Sequence, residues 1–563
     1  MRSIKFIILL FTCILISSCS KKPDILYING KIYTLDNNNS IVEAVAVRDG
    51  RILTTGKTKD LTDSYPSVKI IDLGGKTVVP GFIDAEGNLM EFSRNLSFID
   101  LRGTKSLNEI IQRVKDRVNN AKEGDWIGGF GWDDEVLPPE DFDKIDHTIL
   151  DAISTKLYIY LINSRADMVW VNQKVLDAAK ITKDTPDPEN GEIEKNEDNQ
   201  PTGILYDDAQ DLVMKILPQP TEAQLMGNVQ KGITELFKYG ITEVNDANMS
   251  VEILNLYKKM VDENIFPLRL YAMINGKGPL FEKYLSSGPE NYKDRIQVKC
   301  VHLEYDGYFE SQDAAMDDDY LKDPKRKTPY NDEYDIKEMC KKAFEKNFQV
   351  SVKANGDRAV TSTLNAIESV TKDFKSKAGR TRIEYLEFVK PEELQKIKQL
   401  NIIPSIRPEV SLENKLVVND LISPENAKNL GLWNTLWKQN NIIISGTDFP
   451  YHMINPLIQM YFLSTGIPLD TSAARLVNNS LQKLSVLDAL KSFTVWSAYA
   501  CFDEENKGSI EPGKLADMVV LSQDILASDP GTLLHTLIDM TIVRGEVVYD
   551  NRMPAAELTH AER

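Results

Sequence analysis

Two textures along one chain of 563 residues predict an α/β protein in which a parallel (β/α)8 barrel is inserted into a small β-sandwich built from both ends. The first texture is short apolar runs ending in tight turns: residues 25–28 meet Asn29-Gly30, residues 31–35 meet Asp36-Asn37-Asn38-Asn39, and residues 44–47 precede Asp49-Gly50. Asn-Gly and Asp-Gly favour two-residue hairpins. The same texture returns at residues 515–521, 540–543 and 546–549, with a turn at Arg544-Gly545. Neither terminal stretch holds enough apolar residues for a core alone, so residues 24–80 and 500–553 are expected to share one sandwich. The second texture fills residues 81–499, where helical patterns (107–119, 223–239, 394–400) alternate with apolar runs (157–161, 241–244, 402–406). Repetition of strand and helix over this length is the pattern of a barrel whose strands feed functional groups into their C-terminal loops. An open doubly wound sheet competes, but no Gly-rich phosphate loop opens the first helix, which weakens its nucleotide-binding version. Residues 184–200 and 317–334 are polar and read as surface excursions near the barrel mouth.

Residues 1–19, MRSIKFIILLFTCILISSC, precede the sandwich. Arg2 and Lys5 flank an apolar run at 6–16, short for a membrane span and suited to a signal-peptide core. Ile16-Ser17-Ser18-Cys19 then resembles a bacterial lipobox, which makes Cys19 the lipidated first residue of the mature chain. Ser20 fits sorting to the outer membrane, and the expected location is the cell envelope, facing the periplasm or the surface. An ordinary signal peptide cut near Ser18, or a short membrane anchor, are the alternatives. The remaining cysteines, Cys300, Cys340 and Cys501, are far apart in sequence and do not read as a disulfide scaffold.

Composition narrows the function. Lys plus Arg total 66 against 84 Asp plus Glu, a formal charge of −18, which argues against nucleic acid or an anionic lipid surface as partner. Attachment to a membrane would therefore rest on the lipid at Cys19. A small molecule is the expected ligand, and oligomeric state is not legible. Histidine is scarce: the chain holds five, at 147, 302, 452, 535 and 560.

Several motifs occur in a telling order. They are VVPGFIDAEGN at 78–88, Gly131-Trp132-Asp133, Val171-Asn172, PTGIL at 201–205, ITEVNDA at 241–247, ANGDRA at 354–359, RIEY at 382–385, SGTDFP at 445–450 and KGSIEPGKLAD at 507–517. Together they resemble the amidohydrolase superfamily, family 3, the YtcJ-like branch. The resemblance implies a TIM-like barrel beside a sandwich built from both chain ends. It also implies hydrolysis of C–N bonds at a binuclear metal centre held by His-x-His on the first strand, a bridging carboxylated lysine, two further histidines and an aspartate.

Set against that pattern, this chain departs at most ligand positions. Glu86 and Asn88 stand for His-x-His, His302 for the bridging lysine, Lys353 and Tyr385 for the later histidines, and Asp167 and Asn245 for two substrate-side histidines; Asp448 matches. Four imidazoles cannot be gathered at the barrel from so few histidines. Glu86, Asn88, His302 and Asp448 could offer an oxygen-rich metal site, but an ammonium at Lys353 opposes a cation there. No metal or other cofactor is therefore expected, and Lys353 is expected between Glu86 and Asp448, in place of metal charge.

The candidate catalytic residues are Asp448 as base, Lys353 or His302 as acid or electrophile, and Tyr385 as donor to oxyanion charge. Glu86, Asn88, Asp167, Asn245 and Trp132 are candidate substrate-binding residues, and Trp170, Tyr305 and Tyr308 could add an aromatic wall. Two functions fit: a metal-free hydrolase acting on a non-peptide C–N bond of a small molecule, or an inactive amidohydrolase-fold protein that binds one. A purely structural surface protein is a third reading, favoured only by a closed barrel mouth.

Overall fold

The computed structural model describes residues 22–119, 121–134, 136–322, 333–374, 380–440, 442–469 and 482–552. The leader and Cys19 lie outside the described residues.

Eight parallel strands form a nearly closed barrel in chain order: β1 (Phe82–Gly87), β2 (Ile241–Met249), β3 (Arg269–Asn275), β4 (Ile296–Glu304), β5 (Gln349–Ala354), β6 (Arg382–Tyr385), β7 (Ile403–Ile406) and β8 (Ile444–Ser445). Strands walled by helices outside and packed side chains inside are buried on both faces, and β1, β5, β6 and β7 are buried at every position. The continuation of β8 closes the ring. Asp448 N–H donates to Glu86 C=O (3.0 Å), and Asn88 N–H to Phe449 C=O (2.9 Å). Gly87 permits this closure, since a Cβ there would lie 2.1 Å from the Phe449 ring. Outer helices carry one apolar face. In the helix Glu222–Lys238, a Thr221/Gln224 capping box starts a buried stripe of Val229, Ile233, Leu236 and Phe237.

The chain ends build a sandwich. One sheet runs Arg51–Gly56, Ala44–Arg48, Ile25–Ile28 and Lys69–Asp72; the other runs Glu546–Asp550, Ile538–Val543, Met518–Leu521, Thr77–Pro80, Lys31–Tyr33 and Ile41–Val42. Tyr27, Val45, Val78, Met518 and Ile542 share its core. Thr77–Pro80 is the seam, pairing with Lys31–Tyr33 on one side and Met518–Leu521 on the other. Asp517 locks this seam to the barrel through a buried bidentate pair with Arg269 (2.7 and 2.8 Å).

A third sheet sits between β1 and β2, and the sequence pattern did not separate it from the barrel. It runs Gly191–Lys195, Pro201–Asp207, Met168–Val171, Tyr158–Asn163, Trp126–Trp132 and Ile99–Asp100, over apolar clusters of its own. Residues 157–161, expected as a barrel strand, belong here. Ile99–Asp100, Trp126–Trp132 and Tyr158–Asn163 are parallel, with helices Leu107–Val118 and His147–Ile153 between them. That is the same local grammar as a barrel unit. Part of the polar stretch 184–200 forms the edge strand of this sheet. Among the described residues no helix is long and apolar enough to cross a membrane.

Candidate functional site

The C-terminal ends of β1, β4, β5, β6, β7 and β8 bring ionisable side chains together. Alternation along β5 and β6 sends Ser351, Lys353 and Glu384 inward, and the register sets His302 opposite Ser351 and Glu304 opposite Lys353. Arg407, directly after β7, is the centre of the network. Its guanidinium pairs with Glu86 and, at 2.8 Å, with Glu384, and all three side chains are buried. Arg382 holds the other side of Glu384 (2.7 Å) and donates to the Ala85 carbonyl (2.7 Å).

Asp448 is equally occupied. Its Oδ2 accepts from the Tyr385 hydroxyl (2.7 Å) and lies 3.2 Å from His452 Nδ1, while His452 Nε2 lies 3.2 Å from Glu413. Burial alone would depress the His452 imidazole, but the two carboxylates hold it protonated, with its pKa raised to about 10. Tyr385 and Asp448 both sit at positive φ, 69° and 60°, a costly conformation for residues with side chains, held here by their shared hydrogen bond and the packing around it.

His302 is neutral, since burial pushes its pKa down to about 4. Its proton can be located. Glu384, held well below the usual carboxylate range by Arg382 and Arg407 despite its burial, only accepts, so Ser351 donates to it (2.7 Å). The Ser351 oxygen then accepts from His302 Nδ1–H (3.2 Å), leaving Nε2 as a bare lone pair. Glu86 is pushed upward by burial, an effect Arg407 opposes and neighbouring Glu384 and Asp448 reinforce.

Lys353 departs from expectation. Among the described residues it makes no ion pair with Glu86, Asp448 or any other carboxylate, because Arg407 and His452 already occupy those partners. Its Nζ lies over the Tyr308 ring at 3.9 Å and the Tyr385 ring at 4.8 Å. Burial would lower its pKa, yet Tyr308 and the surrounding carboxylates raise it, so it stays an ammonium.

Of the residues singled out from sequence, Glu86, His302, Lys353, Tyr385 and Asp448 converge on this network. The others have different work. Asn88 caps the helix Leu89–Asn95 by accepting from Glu91 N–H (2.9 Å). Asn245 accepts from the Cys501 thiol (3.3 Å). Asp167 belongs to an ion cluster of the inserted sheet, with Arg165 (2.9 Å) and Asn163 (2.6 Å). Trp132 is fully buried in that sheet's core against Trp170, its indole N–H bound to the Leu161 carbonyl (3.2 Å). Neither tryptophan lines a wall of the network. Sequence reasoning missed Arg407, whose signal was its position directly after an apolar strand and before Pro408.

These side chains do not fit a binuclear metal centre. Two guanidiniums and an ammonium stand where a cation would bind, and Asn88, Glu86 and Asp448 are committed to a helix cap, an arginine and an imidazolium. Among the described residues no group of three or more His, Cys, Asp or Glu side chains is placed to hold a metal ion.

Comparison with known proteins agrees with this architecture. The Amidohydrolase family model matches residues 69–549. YtcJ of Bacillus subtilis (strain 168) is 28% identical over 534 residues, covering 92% of this chain and 98% of its own. The N-substituted formamide deformylase of Arthrobacter pascens is 23% identical over 548 residues, covering 94% and 98%. Among solved structures, an uncharacterized metal-dependent hydrolase from Pyrococcus horikoshii OT3 superposes with a TM-score of 0.71 at 23% identity, over 90% of this chain and 99% of that one. The match over most of the chain, on a barrel that has lost most of the family's metal-binding side chains, places this protein in the amidohydrolase family.

Proposed function

We propose that the protein binds a small molecule at the C-terminal end of its barrel without metal-dependent hydrolysis, and that it does so at the cell envelope, tethered through Cys19. The observation that carries the first part is the pairing of Arg407 with both Glu86 and Glu384. A fixed guanidinium occupies the charge-stabilising position, and it cannot acidify water as a metal ion does. The tether rests on the residues 1–19 alone. The test is direct: the purified full chain, with and without added zinc, is offered N-acyl amines, N-substituted formamides and cyclic amides while release of amine or acid is followed. This reading expects no turnover in either condition and no thermal stabilisation by zinc. Zinc-dependent turnover would overturn it.

A second reading, metal-free catalysis on a labile bond, is favoured by the bare Nε2 of neutral His302, which has the character of a general base. Turnover lost in His302→Gln, with no response to zinc, would establish that reading instead.

A further inference from the structure

Lys353 differs from every other cation of the network. Arg382, Arg407 and His452 each contact a carboxylate, whereas the Lys353 ammonium touches two aromatic faces and makes no hydrogen bond to any described residue. The residue is only 8% exposed, so bulk water does not freely solvate it. Aromatic faces offset part of the charge but accept none of the three N–H donors in ordinary hydrogen-bond geometry. A nearly buried lysine whose ammonium has unused donors favours an acceptor supplied from outside the chain.

The surroundings point to the form of that acceptor. Lys353 lies near the end of β5, and Tyr308, beside it, is half-buried rather than sealed. Tyr451, in the loop after β8, is 64% exposed, adding a second partly open ring near the same rim. The Tyr385 hydroxyl is held by Asp448 (2.7 Å), which leaves Tyr308, 3.4 Å from it, as the hydroxyl able to turn toward a ligand. Glu86, Glu304 and Asp448 all act on the Lys353 charge, so a dianion would meet strong repulsion while a monoanion would be balanced by the ammonium.

We infer that Lys353, flanked by Tyr308 and Tyr385, is the recognition point for the carboxylate of a small monoanionic ligand whose flat body lies against the partly open Tyr308 and Tyr451 rings at the barrel mouth. This rests on the binding reading above and supplies its ligand class.

The experiment measures binding of matched acid and amide probes to the purified full chain by calorimetry and thermal shift. Benzoate is set against benzamide, phenylacetate against phenylacetamide, and N-acetylphenylalanine against its amide, with inorganic phosphate as the dianion. The acids are expected to bind at least about tenfold more tightly than their amides, a difference of ~1.4 kcal/mol. That preference should weaken with added salt and disappear in Lys353→Met and Lys353→Gln, while phosphate should not compete. The comparison in the unmodified chain needs no variant, so a poorly folding substitution does not blunt it. Amides that bind as well as acids, or a preference for acids that persists without Lys353, would overturn the inference and leave the binding reading standing. Tight phosphate binding at Lys353 would overturn the choice of a monoanion. If no probe binds up to the millimolar range, the inference falls; turnover with added zinc separately decides the reading beneath it.

Discussion

Replacing Arg407 by methionine tests the charge network most directly. Arg407 is 1% exposed and faces Glu86 at 8% and Glu384 at 0%. After its loss Glu384 keeps Arg382 (2.7 Å) and the Ser351 hydroxyl (2.7 Å), but Glu86 loses its ion-pair partner. Removing one member of a buried pair costs about 3–5 kcal/mol, because the remaining charge stays desolvated. Arg407→Met is therefore expected to lose about 3 kcal/mol or more in urea unfolding above about pH 8, where the wild-type Glu86 is ionised. Adding Glu86→Gln should return most of that loss, since the orphaned charge goes with its partner. The pH dependence has a definite sign. Glu86 is already pushed upward in the folded chain, and losing Arg407 raises it further. A carboxyl whose folded pKa exceeds its unfolded value favours folding while protonated and loses that advantage as pH rises from about 4.5 through the folded value. The gap between wild type and Arg407→Met should consequently widen as pH rises through the wild-type value of about 8 and narrow below it. A loss below about 1 kcal/mol, or no recovery in the double variant, would refute the assignment of Arg407 as the structural substitute for metal charge.

Three further outcomes are expected. The raised pKa of His452, about 10, makes its contribution fully present below the unfolded value near 6.5 and lost as pH climbs through 10; His452→Gln should flatten the decline of melting temperature over that window, and an unchanged profile would show that the imidazole is not held protonated. Asp517→Ala, which strips the bidentate partner from buried Arg269, should destabilise the chain by roughly 3 kcal/mol, measured as a shift of the urea midpoint; a neutral effect would mean that the barrel and sandwich are not coupled there. Cys19→Ser should abolish incorporation of a fatty-acid probe and release the protein from the membrane fraction, and unchanged fractionation would remove the lipoprotein assignment.

The sequence made the barrel and the split sandwich legible for different reasons. Hairpin turns such as Asn29-Gly30 and Arg544-Gly545 are local, so their residues announce them. The inserted sheet was hidden because Trp126–Trp132 and Tyr158–Asn163 are parallel strands separated by helices, and local pattern cannot tell which sheet a strand joins. At the site, the convergence of Glu86, His302, Lys353, Tyr385 and Asp448 followed from their placement at strand ends. The partners did not. Lys353 reads as the natural counter-ion for Glu86, yet Arg407 reaches it from the end of β7, and a guanidinium can serve two carboxylates at once where an ammonium between rings cannot. Trp132 misled because an aromatic beside glycines suits a binding wall and a buried core equally well.

The sandwich seam has a consequence for how the chain is made. Tyr27 donates to the carbonyl of Gly545, 518 residues away, and Thr77–Pro80 waits for Met518–Leu521 to fill its second edge. During synthesis the first strands emerge hundreds of residues before the strands that complete them, with an unpaired edge and an apolar face in view. A chain interrupted anywhere in the barrel would keep both exposed, so incomplete molecules carry a mark that quality-control proteases and chaperones can read. Closure of this seam needs Met518–Leu521 and so signals that nearly the whole polypeptide has arrived.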